Sequence, residues 1–399
     1  VLCLLLLLLL SAIVSTATTA RAGALVSSAT IGGCPLFPAR NIWNIDISQL
    51  PVASRSASYI ASIGLGSHLH PDFGSGLYNG EPIGIPYMVV PGSQPGVSVS
   101  FQYADESNPG PYPIPASAPV EGGLQSTGDR HVLVVDRGNC TLYEMYASYP
   151  QKNGSWRAGS GAVWHLTSNA LRPATWTSAD AAGLPILPGL VTYDEVVSGV
   201  ITHALRVTVN QTQRAFLWPA RHFASSQRST SLPPMGLRLR LKASVNISSF
   251  PRVDQIILTA LKRYGMFVAD NGSSWFLSGS PDSRWNNDTL HALTSIPGAD
   301  FEAVDESHLL VSANSGEAAD SLLFSSTPTR VPATPPLRAS IQQTEFRNAL
   351  ASTGGGSSTG HGDTAGALWP VFLALALICC LGATVFMLNW RKKARVPRS

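Results

Sequence analysis

The sequence predicts a mainly β extracellular domain, a β-sandwich or jelly roll with a few helical additions, attached to one transmembrane helix. Three observations carry that expectation. The middle of the chain is a series of short apolar or alternating runs broken by turns, with 35 Gly and 29 Pro in 399 residues, the pattern of strands joined by tight connections. One uncharged stretch near the C-terminus, LWPVFLALALICCLGATVFMLNW, is long enough to cross a hydrocarbon core of about 30 Å at about 1.5 Å per residue. Six N-x-S/T tripeptides, at Asn139, Asn153, Asn210, Asn246, Asn271 and Asn287, fit an exported chain whose acceptor side chains face solvent.

Each element follows in order from local chemistry. Val1–Ala22 opens with VLCLLLLLLLSAI and closes on the small residues of ARA, which reads as a secretory signal with a truncated start. The β-rich domain is expected over residues 34–305. Within it, RHVLVVDRGNCTLYEMY reads as two strands around Asp136-Arg137-Gly138-Asn139, a glycine-containing hairpin. Further strand-like runs are YMVV, VSVSFQY, VITHALRVTV, AFLWPA, GLRLRLK, GMFVAD and SWFLSG. In TSADAAGLPILPGLVTYDEV, Ser178 is placed to cap one helical turn ended by Gly183, and Pro185 and Pro188 forbid a regular helix or central strand. The oily segment is therefore expected to cross one end of the domain irregularly and packed. After Pro251, residues Val253, Ile256, Ile257, Ala260, Leu261 and Tyr264 recur at helical spacing with Gly265 as the stop, so a helix lies on a sheet. Residues 306–366 turn rich in Ser, Thr, Pro and Gly, a spacer. Residues 367–390 form the span, and the basic tail 391–399 holds that end in the cytoplasm, giving a single-pass type I protein at the cell surface.

Charge and cysteine usage agree with this division. Of 27 basic residues six lie in the signal or tail, leaving 21 against 24 acids outside. A mildly acidic ectodomain gives no support to nucleic-acid binding, which calls for a clustered basic surface. Cys3 falls in the signal and Cys379 and Cys380 in the span, so Cys34 and Cys140 are the pair left to form a disulfide in an oxidising compartment.

Several residues are candidates for chemistry. Alternation along VITHALRVTVN turns His203 inward among aliphatics, where it is either a hydrogen-bonded core residue or a general base lining a cleft. Arg221 and His222 follow a predicted strand, where loops carry sites. Asp180 and Asp194, with Glu144, are the carboxylates nearest to a glycosidase pair. His68, His70 and Asp72 alternate as metal ligands would, but Pro71 favours a plain turn, and neither a metal nor another cofactor is assigned. GLRLRLK places Arg238, Arg240 and Lys242 opposite the leucines, either a solvated face or a groove for acidic polysaccharide that Arg206 would extend. No P-loop, H-E-x-x-H or C-x-x-C signature occurs.

The segments DRHVLVVD, TSADAAGLPILPGLVTYDEV, HALRVTV, WPARH, RLRLKAS, LKRYGMFVADNGS and SPDSRWNND together resemble an uncharacterised family of secreted proteins of bacteria and eukaryotic microbes. The resemblance covers roughly Cys34 to Asp305 and implies an extracellular habit and a domain boundary, with no activity to transfer. Two functions follow as expectations. One is a membrane-anchored domain that binds a glycan or another surface partner, with Trp156, Trp164, Trp176, Trp275 and Trp285 as stacking platforms. The other is a polysaccharide-active enzyme with its site near residues 178–222: a hydrolase using Asp180 or Asp194 with Glu144, or a lyase using His203 or His222 with Arg221 to neutralise a uronate.

Overall fold

Apolar alternation organises two sheets in the computed structural model, which describes residues 29–319 apart from Asn79. The predicted hairpin is present: Val132–Asp136 and Thr141–Tyr146 pair antiparallel, and the Asp136 carboxylate accepts the Gly138 N–H at 2.8 Å to fix the turn. Ser160–His165 joins one side and Tyr87–Val90 the other, making a four-stranded sheet. Leu133, Val135 and Leu142 face the main core, whereas Val132, Val134 and Met145 enter a smaller second core with Tyr112 and Trp156. Burial on both faces is why VLVVD is a continuous apolar run.

A six-stranded sheet runs in the order Phe301–Ala303, Arg238–Leu241, Met266–Asn271, Leu205–Val209, Phe276–Ser278, His70–Asp72. Leu205, Val207 and Leu239 join the same main core as the first sheet. Three neighbouring pairs in these two sheets are parallel: Leu205–Val209 with Met266–Asn271, Phe276–Ser278 with His70–Asp72, and Tyr87–Val90 with Val132–Asp136. A jelly roll is built of antiparallel neighbours, so the sheets depart from that expectation. The coarser one, a mainly β domain with several sheets and few helices, holds.

The expected helix spans Arg252–Arg263. It packs beside the Arg238–Leu241 strand with Ile256, Ile257, Leu258 and Leu261 buried, each contributing about 1.5–3 kcal/mol of transfer free energy. Gly265 ends it at φ +63°, where an added Cβ would collide with the Leu239 carbonyl oxygen. Other boundaries shift. VITHALRVTV is strand only from Leu205, and AFLWPA forms no strand beyond one bridge from Phe216 to Met235.

Cys34 and Cys140 are joined as a disulfide with their Cα atoms 5.3 Å apart, tying the start of the expected domain to the second strand of the hairpin. The packed fold begins before Cys34, with Thr30–Ile31 paired to Cys34–Pro35, and continues past Asp305. Leu309 and Ala318 are fully buried and Glu317 bridges to Asn41, so residues 306–319 belong to the domain rather than the spacer. Their Ser and Gly content is that of turns, which hid the packing. Among the described residues no helix is long and apolar enough to cross a membrane. The expected signal, the rest of the spacer, the span at 367–390 and the tail lie outside the described residues.

Candidate functional site

The segment Leu184–Leu190 is wholly buried and irregular, with one 3-10 turn at Leu187–Gly189. Prolines cannot satisfy a ladder, so its backbone needs other partners. Glu144 supplies them: its carboxylate accepts the N–H groups of Ile186 and Leu187 at 2.9 Å and Trp164 Nε1 at 3.0 Å. Burial, only partly offset by those hydrogen bonds, pushes the Glu144 carboxyl up to about 7. Glu144 is therefore a latch inside the core and not half of a catalytic pair.

Just upstream, Ser178–Gly183 forms a pinned loop with one hydrogen-bonded turn, Gly183 N–H to the Asp180 carbonyl at 3.1 Å, in place of the expected helical turn. The Ser178 hydroxyl donates to the Leu184 carbonyl at 2.5 Å and lies 2.9 Å from the Asp180 carbonyl. Ser160 Oγ donates to the Ser178 carbonyl at 2.6 Å, and His131 Nε2 meets the Ala179 carbonyl at 3.0 Å. Arg206 Nε and Nη2 grip the Asp180 carboxylate at 2.8 and 2.9 Å, while Nη1 donates to Ser278 Oγ. His222 Nδ1 meets the Ala181 carbonyl at 2.9 Å, a contact only N–H can satisfy. Ala182 N–H reaches the Ala269 carbonyl at 2.9 Å and ties the loop to the six-stranded sheet.

Behind the loop sits a buried ion pair. His131 Nδ1 lies 2.6 Å from Glu121 Oε2 while Nε2 faces the Ala179 carbonyl, so both nitrogens donate and the ring is charged. Burial alone would lower its pKa; Glu121 outweighs burial and holds it at about 9.

The pinned loop forms one wall of an open cleft of about 420 Å³, with Tyr103, Asp129, Tyr146, His222 and Asp270 on its other sides and Asn271 at its margin. The Asp129 carboxylate and the hydroxyls of Tyr103 and Tyr146 hydrogen-bond to no other described residue. Asp270 closes the Met266–Asn271 strand, its Oδ1 accepting the Asn271 N–H at 2.6 Å and its Oδ2 lying 3.8 Å from Arg206 Nη2. Burial first, then the neighbouring Asp180 and Asp129 charges, raise its carboxyl to about 7 against the pull of Arg206. Its side chain is 23% exposed, so the raised carboxyl still meets the cleft. No lysine or arginine lines this cleft among the described residues. Depressions of similar size lie beside Trp218 and beside Thr192; of their acids, Glu306, Asp194 and Glu195 are taken up by Arg238, Arg284 and His203, and Asp305 accepts the Ser307 N–H.

Of the residues singled out from the sequence, Asp180 and His222 meet in this cleft and Arg206 stands behind it. The others lie elsewhere. His203 is buried with Nδ1 2.7 Å from the Ala204 carbonyl and Nε2 2.8 Å from Glu195, so it too donates twice; burial opposes the charge, and Glu195 raises the pKa nonetheless. Asp194 makes a surface pair with Arg284 at 2.7 Å. Arg221 turns away to the Ala313 carbonyl and Asn314, and cannot neutralise a uronate beside His222.

The basic row is also corrected. Arg238 and Arg240 are buried: Arg238 bonds the carbonyls of Tyr264 and Ile42 and pairs with Glu306 at 3.2 Å. Arg240 bonds the carbonyls of Ile47, Ser48 and Leu50 and pairs with Glu302. Lys242 donates to the Ala299 carbonyl. Alternation sorted the two faces correctly, but chain covers both, and its orphan carbonyls consume the guanidinium donors. Four of the five tryptophans named as platforms are buried, Trp176 alone being half-exposed. Five sequon asparagines are exposed, while Asn271 is half-buried with its amide bonded to Thr212 and the Ala224 carbonyl. His70 stacks on Phe276 at 4.1 Å, and among the described residues no three His, Cys, Asp or Glu side chains are arranged to hold a metal ion.

Asp129, Asp270, Tyr103 and Tyr146 escaped the sequence reading. The available signal was a carboxylate at the end of an apolar strand, as in GMFVAD, where a side chain leaves the core at the sheet margin. No family model, curated protein or solved structure matches this chain.

Proposed function

We propose that this chain is a single-pass type I membrane glycoprotein whose extracellular domain binds a neutral polysaccharide in the cleft beneath Ser178–Gly183. One observation carries the reading: a cleft with two phenols, several carboxylates and no lysine or arginine, its loop wall pinned in advance. Such a surface offers hydrogen bonds and flat rings to sugar hydroxyls and repels uronates and sulfates. Preorganisation favours binding, because little loop entropy is lost when the ligand docks. The two larger sheets are taken in this reading as a sandwich, supported by their common core. The apolar first residues, the uncharged stretch with its basic tail and the exposed sequon asparagines support the extracellular topology.

The test is affinity electrophoresis of the purified full chain in gels containing neutral, uronate or sulfated polysaccharide. Retardation is expected in a neutral gel, and Tyr103→Ala, which removes a 46% exposed ring at the cleft, weakens it roughly tenfold, about 1.4 kcal/mol. Retention on uronate or sulfated polymers alone, lost as salt rises, would overturn the proposal.

A further inference from the structure

We propose that the cleft also cleaves the glycan it holds, with Asp270 as general acid and Asp129 as general base. The inference rests on the glycan reading above and adds a reaction to it. A glycosidase needs two carboxyl groups about the scissile bond, one to give a proton and one to take one, with room for water. The cleft supplies two carboxyl groups, Asp270 half-buried at a strand end and Asp129 exposed. Asp270 is held at a strand end by the Asn271 N–H, and the guanidinium beside it is already committed: Arg206 spends its short bonds on Asp180 and Ser278 and stands 3.8 Å from Asp270. Asp270 thus keeps only a long ion pair with a guanidinium whose short bonds go elsewhere.

Asp129 is different in kind. It is exposed, lies just before the Val132–Asp136 strand, and its loop is tied by the Ala147 N–H to the Asp129 carbonyl at 2.8 Å. Both carboxyls line the same cleft with Tyr146, in unlike surroundings, Asp129 exposed and Asp270 half-buried. Burial and the neighbouring Asp180 charge raise the Asp270 carboxyl to about 7, which suits it to the acid's part.

The step balances with water as the only co-reactant. Asp270 gives its proton to the glycosidic oxygen as the bond from that oxygen to the anomeric carbon breaks. The water oxygen forms the new bond to that carbon, and its proton passes to Asp129. The products are two sugar ends, and proton exchange with solvent restores both carboxyls.

The experiment measures binding and cleavage on the same purified full chain. Neutral polysaccharides are assayed by affinity electrophoresis and by reducing ends released, beside matching aryl glycosides with a nitrophenolate leaving group. Hydrolysis is expected, falling above about pH 7 as Asp270 ionises. Asp270→Asn keeps binding, loses about 10²- to 10⁴-fold on polysaccharide, loses much less on the aryl glycoside, which needs no protonation, and no longer shows the alkaline fall. Asp129→Asn loses both activities. It carries the test alone if Asp270→Asn does not fold, because its side chain is exposed. Binding without hydrolysis, or full turnover by either variant, overturns the acid–base pair and leaves the glycan reading standing. No binding by any neutral polymer overturns both.

Discussion

Replacing Asp180 by Asn removes one charge from the best-buried ion pair in the cleft wall. Both partners are almost wholly sequestered, Arg206 at 4% and Asp180 at 0% exposed, and the carboxylate accepts two guanidinium N–H groups at 2.8 and 2.9 Å. The amide keeps one acceptor, but its NH₂ points a donor at a donor. Breaking a buried pair while leaving one charge behind costs about 3–5 kcal/mol. Asp270, already 3.8 Å from Arg206 Nη2, takes up part of the abandoned charge, which places the cost near about 3 kcal/mol. For a domain of this size that is a fall in Tm of about 5 °C. The same change removes the Asp180 charge that helps raise Asp270, so the Asp270 carboxyl should titrate below its present value of about 7. Urea unfolding reads the first effect and carboxyl NMR titration the second. The double variant Asp180→Leu with Arg206→Met should lose much less than the two single changes summed, because no charge is stranded. A loss under about 1 kcal/mol for Asp180→Asn would refute the view that this pair pins the loop.

Other expectations follow from the same contacts. His131 has a folded pKa of about 9 against an ordinary value of 6.5, so its stabilisation is complete below pH 6.5 and is lost as pH rises through about 9. Melting curves should fall across that window, His203 adding in the same direction, and His131→Gln should melt lower at pH 6 with a flatter profile; an unchanged slope in the variant counts against the buried imidazolium. Glu144→Gln sets an amide against the Ile186 and Leu187 N–H groups and should cost about 2 kcal/mol with faster hydrogen exchange at both, so unaltered exchange would reject the latch. Replacing Cys34 and Cys140 together by Ser, across a separation of 106 residues, should lower stability by about 2–4 kcal/mol, and free thiols in peptide maps of the native chain would contradict the bond. Arg238→Gln should destabilise by about 3 kcal/mol without altering retention on polyanions, since its side chain never reaches solvent; reduced retention by the folded variant would restore the basic groove.

Local chemistry was legible wherever a residue's neighbours in sequence are also its neighbours in space. The Arg252–Arg263 helix with its Gly265 stop, the hairpin at Asp136–Asn139 and the packed irregular crossing at Leu184–Leu190 all follow from spacing and from what Pro and Gly permit. The disulfide followed from counting, because Cys34 and Cys140 are the two cysteines left between the expected signal and the expected span. Parallel pairing was invisible: Leu205–Val209 and Met266–Asn271 lie about 60 residues apart in sequence, and apolar alternation is the same for either strand direction.

The site was harder to read for a related reason. Period two decides which side chains share a face, and it placed Arg206, Arg238 and Arg240 opposite the aliphatic residues of their strands; whether water or chain lies over that face depends on segments distant in sequence. Loop Ser178–Gly183 covers Arg206, and the turns at Ile42–Leu50 cover the other two, so a row of charges that reads as a surface is an interior lattice of donors for carbonyls and carboxylates. Asp129 and Asp270, about 140 residues apart, line one cleft only in the folded chain. Secondary structure, the crossing and the disulfide partners were thus set by local sterics, periodicity and composition, whereas the cleft, its charge and the raised carboxyl of Asp270 exist only in the tertiary structure, since burial and through-space charge are properties of packed neighbours and not of order along the chain.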